Sequence, residues 1–277
     1  MPFLTEPEPP RGVALDVLPG IRRIVARNPG VMTYHGTNTY LIAVDDGLTV
    51  LDPGPDDPVH VRDILRAADT VPIRRILLSH AHRDHLGATA ALQAATQAPT
   101  SGFHCAATPI FTPDLPLADG DTIAGLTAIH TPGHASDHPA FAYGGNHGAK
   151  ILFSADHVMS WSSSIVNPPD GDMRAYYASL LRLLERDDTI YLPGHGPILA
   201  NPRALVAEML AHRRHREAAI LCALRTAPAS VADLATKLYA NHNPMLKFAA
   251  ERNVLAHLLK LHAEGITVEN GTVWRMA

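Results

Sequence analysis

"SHAHRDH", residues 79–85, places three histidines and an aspartate in seven positions directly after the apolar run Ile76-Leu77-Leu78. A buried strand that ends in so many lone-pair donors is costly unless each finds a partner, because burial strips a polar group of its hydration. His80 and His82 are two positions apart, so on an extended segment their side chains point the same way and can share one cation. Asp84 and His85 follow at the turn into the next helix, where the chain changes direction and can serve a second cation. Imidazole nitrogen and carboxylate oxygen are the donor types that hold a divalent transition metal, at about 2.0–2.2 Å.

Two cations need more ligands than this stretch contains. Three later segments, each at a strand end followed by a loop, offer them: TPGH with His134, SAD with Asp156 and PGHGP with His195. Asp156 is the only carboxylate among these, and its two oxygens can bridge. The expected sets are His80, His82 and His134 on one metal and Asp84, His85 and His195 on the other, with Asp156 between them.

The rest of the chain bounds the setting. Its 277 residues exceed a typical single domain, so one large domain plus a small one is expected. With 46% apolar and 18% charged residues it can bury a substantial core, which argues against disorder. No apolar run approaches the roughly 18 residues that span a bilayer, and MPFLTEPEPPRG has neither a basic nor an apolar leader region. A cytoplasmic protein with no membrane partner is expected. Cys105 and Cys222 have no metal-ligand spacing and read as buried free thiols. Residues 1–202 carry 13 basic against 21 acidic side chains, and residues 203–277 carry 10 against 6. Bound cations would offset the acidic excess of the first part.

Up to about residue 200, β-rich runs alternate with helical ones. The run from residue 38 and LTVLD (48–52) flank an Asp46-Gly47 turn signal and read as a hairpin. Residues 58–69, 86–96 and 173–185 have helical spacing; 74–79, 126–131, 139–143, 150–156 and 189–193 read as strands. Such interleaving points to layered α/β architecture. From residue 203 come three helical stretches (203–225, 230–240 and 245–265) and an alternating tail around Asn270-Gly271. Three helices and a two-stranded ribbon describe a winged helix, giving domains of 1–202 and 203–277.

HxHxDH followed by TPGH, an Ala-Asp strand end and PGHG resembles the metallo-β-lactamase superfamily, and LDPG with Asp52 matches that superfamily's first motif. The resemblance implies an αβ/βα sandwich with metals at one edge, and a hydrolase using a metal-bridging hydroxide. It implies two divalent cations, zinc foremost, with manganese or iron as alternatives. Asp52 would hold a ligand histidine by its other ring nitrogen. Asp84 would ligate and also orient the attacking oxygen, and His138 or His157 would protonate a leaving group. Many relatives carry Gly-Asp where this chain has Ala155-Asp156, which bears on fine geometry at that corner.

Residues 28–42, "HRRHRE" (212–217) and the C-terminal module resemble more narrowly the beta-lactamase-like protein 2 branch, whose animal members are described as single-strand-directed endoribonucleases. Single-stranded RNA is therefore one expected substrate, and a thioester, lactone or other small acyl compound is the alternative. Asn38 and Tyr40 read as strand residues, and the basic run 212–216 as a solvated face or an RNA-phosphate patch. The winged helix is expected either to bind nucleic acid or to wall the cleft.

Overall fold

The computed structural model describes residues 3–104, 111–144, 149–240 and 244–277. Cys105, His147 and His242 lie outside the described residues. Alternation along the strands decides the layering. In β3 (Asn38–Val44), Tyr40 and Ile42 face one core while Leu41 between them faces another. In β5 (Ile73–Leu77), Leu77 belongs to the first core and Ile76 to the second.

The first sheet runs β1 (Leu15–Leu18), β2 (Ile21–Val25), β3, β4 (Gly47–Leu51), β5, β6 (Thr100–Phe103), β7 (Leu115–Leu117). The second contains β8 (Thr122–Ile123), β9 (Leu126–His130), β10 (Pro139–Tyr143), β11 (Ile151–Ala155), β12 (Ile190–Pro193) and β13 (Leu199–Ala200), ordered from β13 back to β8. Between the sheets pack Ile21, Tyr40, Leu51 and Leu77 from the first and Phe141, Phe153 and Leu192 from the second. Outside the first sheet, α1 (Pro58–Ala68) and α3 (Thr89–Thr96) cover Leu41, Val50 and Ile76. Outside the second, α4 (Met173–Leu184) and the start of α5 (Arg203–Thr226) cover Ala140, Leu152 and Tyr191. The result is the αβ/βα sandwich.

The 38–51 hairpin forms with Val44 paired to Gly47. The single helix expected over 86–96 is instead α2 (Arg83–Leu86) and α3, broken at Gly87. A Cβ on Gly87 would stand 2.4 Å from the backbone nitrogen of Asp56, and Gly54 exchanges backbone hydrogen bonds with His85 and Ala88. The loop after β4 thus interrupts the helix and holds Asp84 and His85 in a short one of their own. Cys222, expected to be buried, is exposed. It falls off the stripe of α5 that buries Ile220, Ala223 and Leu224.

In the winged helix, α6 (Val231–Leu238) begins with a reciprocal capping box between Ser230 and Asp233. It packs with α7 (Lys247–Ala263) and the ribbon β14 (Thr267–Asn270) and β15 (Val273–Met276) around Trp274. Helix α5 serves both units. Leu205, Val206, Met209 and Leu210 join the sandwich core, while Ile220, Ala223 and Leu224 join the winged-helix core.

Arg213, 1% exposed, sits at the crossing point. Its guanidinium donates to Asn253 Oδ1 on α7 at 3.0 Å and to the carbonyl of Ser164, and lies 5.2 Å from the Tyr176 ring. Asn253 Oδ1 also accepts from Val166 N. Arg213→Met is expected to cost about 3 kcal/mol, because it takes the guanidinium from the buried Ser164 carbonyl and leaves Asn253 Oδ1 with Val166 N alone. Denaturant unfolding checks this, and a loss below about 0.5 kcal/mol, the usual range for a surface change, would contradict the keystone role.

Candidate metal centre

Strands β4 and β5 are parallel, as are β11 and β12, so each pair ends on one edge of its sheet. Ligands in open α/β sheets gather outside the carboxyl ends of strands. Asp52 leaves β4, Ser79 and His80 leave β5, Asp156 leaves β11 and His195 leaves β12. Two of these corners are left-handed: Asp52 has φ 53° and Ala155 has φ 42°. For a residue with a Cβ that conformation costs about 1–2 kcal/mol, which is why a glycine suits the position before Asp156. Alanine still turns the corner here.

The structure brings the seven residues singled out in the sequence into three overlapping groups: His80, His82 and His134; His80, His85 and Asp156; Asp84, His85 and His195. His82 Nδ1 stands 2.9 Å from His80 Nε2 and 3.0 Å from His134 Nε2. On the other side, His195 Nε2 is 3.2 Å from Asp84 Oδ2 and His85 Nε2 is 3.5 Å from the same oxygen. Asp156 lies between the groups, with Oδ1 3.5 Å from His85 and Oδ2 3.6 Å from His134 and 3.4 Å from His195. Donors at metal-bonding distance from one cation are about 2.8–3.6 Å apart in tetrahedral or octahedral arrangements. The observed separations fall in that interval.

Hydrogen bonds on the far side of four of the rings aim the lone pairs inward. The Ser79 hydroxyl donates to Asp52 Oδ2 at 2.7 Å, so the His80 Nδ1–H donates to Ser79 Oγ at 2.9 Å and Nε2 is left bare. The His85 Nδ1–H donates to Asp52 Oδ2 at 2.9 Å, that of His134 to the Ile165 carbonyl at 2.7 Å, and that of His195 to the Gly36 carbonyl at 3.3 Å. His85 Nε2 and Asp156 Oδ1 are buried without a hydrogen-bond partner. Buried ligand atoms that converge without hydrogen-bond partners are what a cation satisfies, and the donor set fits divalent metals.

The charges tell the same story. Burial pushes the His80 and His82 imidazoles down, His82 to about 4, assisted by repulsion from neighbouring rings. Burial alone would do the same to His195, but Asp156 and Asp84 outweigh it and raise His195 to about 9. Asp84 and Asp156 are held below the usual carboxylate range by His85 and His195 despite their burial.

Around the ligands, Asp52 is a positioning residue. Its other oxygen accepts from Ser79 N at 2.8 Å, and its carbonyl accepts from the Thr39 hydroxyl at 2.7 Å. Thr39 having spent its proton, the His60 Nε2–H donates to Thr39 Oγ1 at 2.8 Å, and burial keeps this imidazole neutral with a value near 4. Asn38 and Tyr40 do more than fill a strand. Asn38 Nδ2 donates to the carbonyls of Pro193 and Gly196, both at 2.9 Å, and the Tyr40 hydroxyl to that of Pro193 at 2.8 Å, fastening the loop that carries His195.

His138, one of the two expected proton donors, lies beside the Asp156 corner. It is fully buried, with Nδ1 3.0 Å from the Thr131 hydroxyl and Nε2 accepting from Asp156 N at 3.3 Å. A ring held in this way supports the Asp156 corner. His157 is also fully buried, and burial takes it to about 3. The residue that sequence reasoning missed is Asp137. It lines a cavity of about 430 Å3 together with His80 and Phe103, and burial, reinforced by Asp170, raises its carboxyl to about 6. Its position three residues after His134 was the available signal.

The metallo-beta-lactamase superfamily model matches residues 32–195, and that of the beta-lactamase associated winged helix domain matches residues 230–274. The chain belongs to the metallo-β-lactamase superfamily. It is 30% identical over 265 residues to the beta-lactamase-like protein 2 homolog of Drosophila melanogaster, covering 88% of each chain. It is 28% identical over 213 residues to an atrochrysone carboxyl ACP thioesterase of Passalora fulva, covering 74% of this chain and 62% of that protein. A beta-lactamase domain protein of Burkholderia ambifaria superposes with a TM-score of 0.80 at 22% identity, over 97% of this chain and 95% of the other, and so shares the fold. The superfamily membership makes this a hydrolase fold, with the winged helix as its companion domain.

Gly194 gives the centre a steric test. A Cβ there would meet Asp156 Oδ1 at 2.3 Å and His85 Cε1 at 2.8 Å. Gly194→Ala is expected to weaken zinc binding at least tenfold in chelator competition while leaving the far-ultraviolet circular dichroism unchanged. Undiminished affinity would show that Asp156 is not held where the metal needs it.

Proposed function

We propose that this chain is a binuclear metal-dependent hydrolase of acyl compounds, with thioesters as the leading class. The observation that carries the reading is the pair of donor groups joined through Asp156, with His80, His82 and His134 on one side and Asp84, His85 and His195 on the other. A pair of divalent cations, zinc foremost, would polarise the acyl carbonyl and lower the pKa of water to about 7.

The chain's own residues do the rest. Asp84 keeps 31% of its side chain exposed, unlike Asp156, so it can accept a hydrogen bond from the attacking water and orient it. Asp52, Ser79 and the Ile165 carbonyl fix the ring orientations before substrate arrives. The water gives up a proton to solvent as its oxygen bonds to the acyl carbon, the carbon–sulfur bond breaks to leave the carboxylic acid, and the thiolate takes a proton. Asp137, beside His80 and near 6, is the group we assign to supply that proton.

The thioester reading draws on the Passalora fulva relative, named as a thioesterase. Single-stranded RNA has less behind it, because two arginines of the basic run of α5 are committed within the molecule. Arg213 is buried, and Arg216 donates to the Leu238 carbonyl and stacks at 4.4 Å on Tyr239. Among the described residues no helix is long and apolar enough to cross a membrane.

Zinc-loaded protein is expected to hydrolyse acyl thioesters, with Asp84→Ala lowering kcat at least 100-fold and Asp137→Asn lowering it more for oxyesters than for thioesters, since an alkoxide needs the proton more. Cleavage of single-stranded RNA with inert thioesters, or turnover that survives exhaustive chelation, would overturn the reading.

A further inference from the structure

A second cavity, of about 470 Å3, opens between the sandwich and the winged helix. Its sandwich wall includes Met32, Met159, Trp161 and Ile165, and its winged-helix wall includes Thr236 and Leu246. We propose that this cavity is the pocket for the substrate's acyl group, an apolar aliphatic or aryl chain. The proposal rests on the acyl-hydrolase reading and adds what the enzyme selects.

Three observations carry it. The first is position: Ile165 lines the cavity while its carbonyl holds His134, so one residue separates the chain-binding wall from a metal-centre imidazole. Trp161, also in the wall, lies directly against Gly196, the neighbour of His195.

The second is chemistry. No carboxylate lines the cavity among the described residues. Of its basic side chains, Arg213 is committed to Ser164 and Asn253, and burial keeps His212 neutral, near 4. Lys247 alone projects into solvent, where it pairs with Glu251 at 3.8 Å. A strand of phosphodiesters needs a series of cations along its track, and one lysine does not make a series. Two methionines, a tryptophan and aliphatic side chains instead suit an apolar body, with the methionines able to adjust to its shape.

The third is construction. The segment 164–166 that forms the shared wall is fastened to the winged helix by Arg213 and by Asn253, through the Ser164 carbonyl and Val166 N. The appended domain therefore completes the pocket and fixes the wall behind His134. A volume of about 470 Å3 lies within the roughly 300–1,000 Å3 of small-molecule sites.

The test uses the full chain and has two arms. Isothermal titration of the zinc-free protein with sodium decanoate and sodium butyrate reads the pocket without any turnover, and decanoate is expected to bind at least 30-fold more tightly. S-butyryl and S-decanoyl N-acetylcysteamine, given to zinc-loaded protein, read the reaction, and kcat/KM is expected to favour the longer chain. Thr236→Tyr, an exposed position on the far wall, should remove at least tenfold of the decanoate preference in both arms. Met32→Phe on the opposite wall should do the same.

Equal binding of the two acids, or variants that leave the preference intact, would overturn the pocket even if the butyryl thioester is hydrolysed, and the hydrolase reading would then stand alone. Chain-length-dependent binding with no thioester turned over would support the pocket and remove the reaction. Displacement of decanoate by single-stranded RNA would overturn the assignment.

Discussion

Asp156, buried, and Asp84, half-buried, sit among five imidazoles, and most of the molecule's local architecture follows from what it takes to keep two carboxylates there. Burying an unpaired carboxylate costs far more than a fold of marginal stability can spare. The chain meets that cost with the protonated histidines His85 and His195 in the metal-free state, or with cations. Either solution demands that the rings stay aimed inward, which is why Asp52, Ser79, Gly36 and Ile165 each hold the outer nitrogen of a ligand histidine. The left-handed corners at Asp52 and Ala155 are further local costs at this site.

This arrangement also explains how the sandwich and the site depend on each other. Parallel pairing of β4 with β5 and of β11 with β12 brings the corners that carry Asp52, His80, Asp156 and His195 to the same edge. The inter-sheet core of Tyr40, Leu77, Phe141, Phe153 and Leu192 fixes how far apart those edges lie. Asn38 and Tyr40, which begin β3 of the first sheet, then fasten the His195 loop of the second. The hydrogen bonds that tie the sheets together at this edge are the ones that place the ligands.

The winged helix enters the same economy through α5 and Arg213. A helix that contributes to two cores makes the domains packing partners rather than beads on a linker, and Arg213 turns that packing into a precise wall behind His134. Of the two roles expected for the small domain, binding nucleic acid or walling the cleft, this packing supports the second.

The candidate metal ligands were legible in the sequence because each sits at a strand end next to small or turn-forming residues, and HxHxDH packs four of them into one local stretch. The sandwich and winged helix were legible too, from strand and helix spacing, the Ser230 cap and the Asn270-Gly271 turn. Only the tertiary structure decided the rest, since those outcomes hinge on contacts between segments far apart in the chain. The break at Gly87 is imposed by the loop at Asp56, the enclosure of His138 by Thr131 and Asp156, and the raised Asp137 carboxyl by burial beside Asp170. Short strands such as β1, β8 and β13 also escaped notice, because two to four residues carry too little periodicity and are fixed by the partner they pair with. Local pattern determines which residue types are on offer; burial and distant neighbours determine which of them can act.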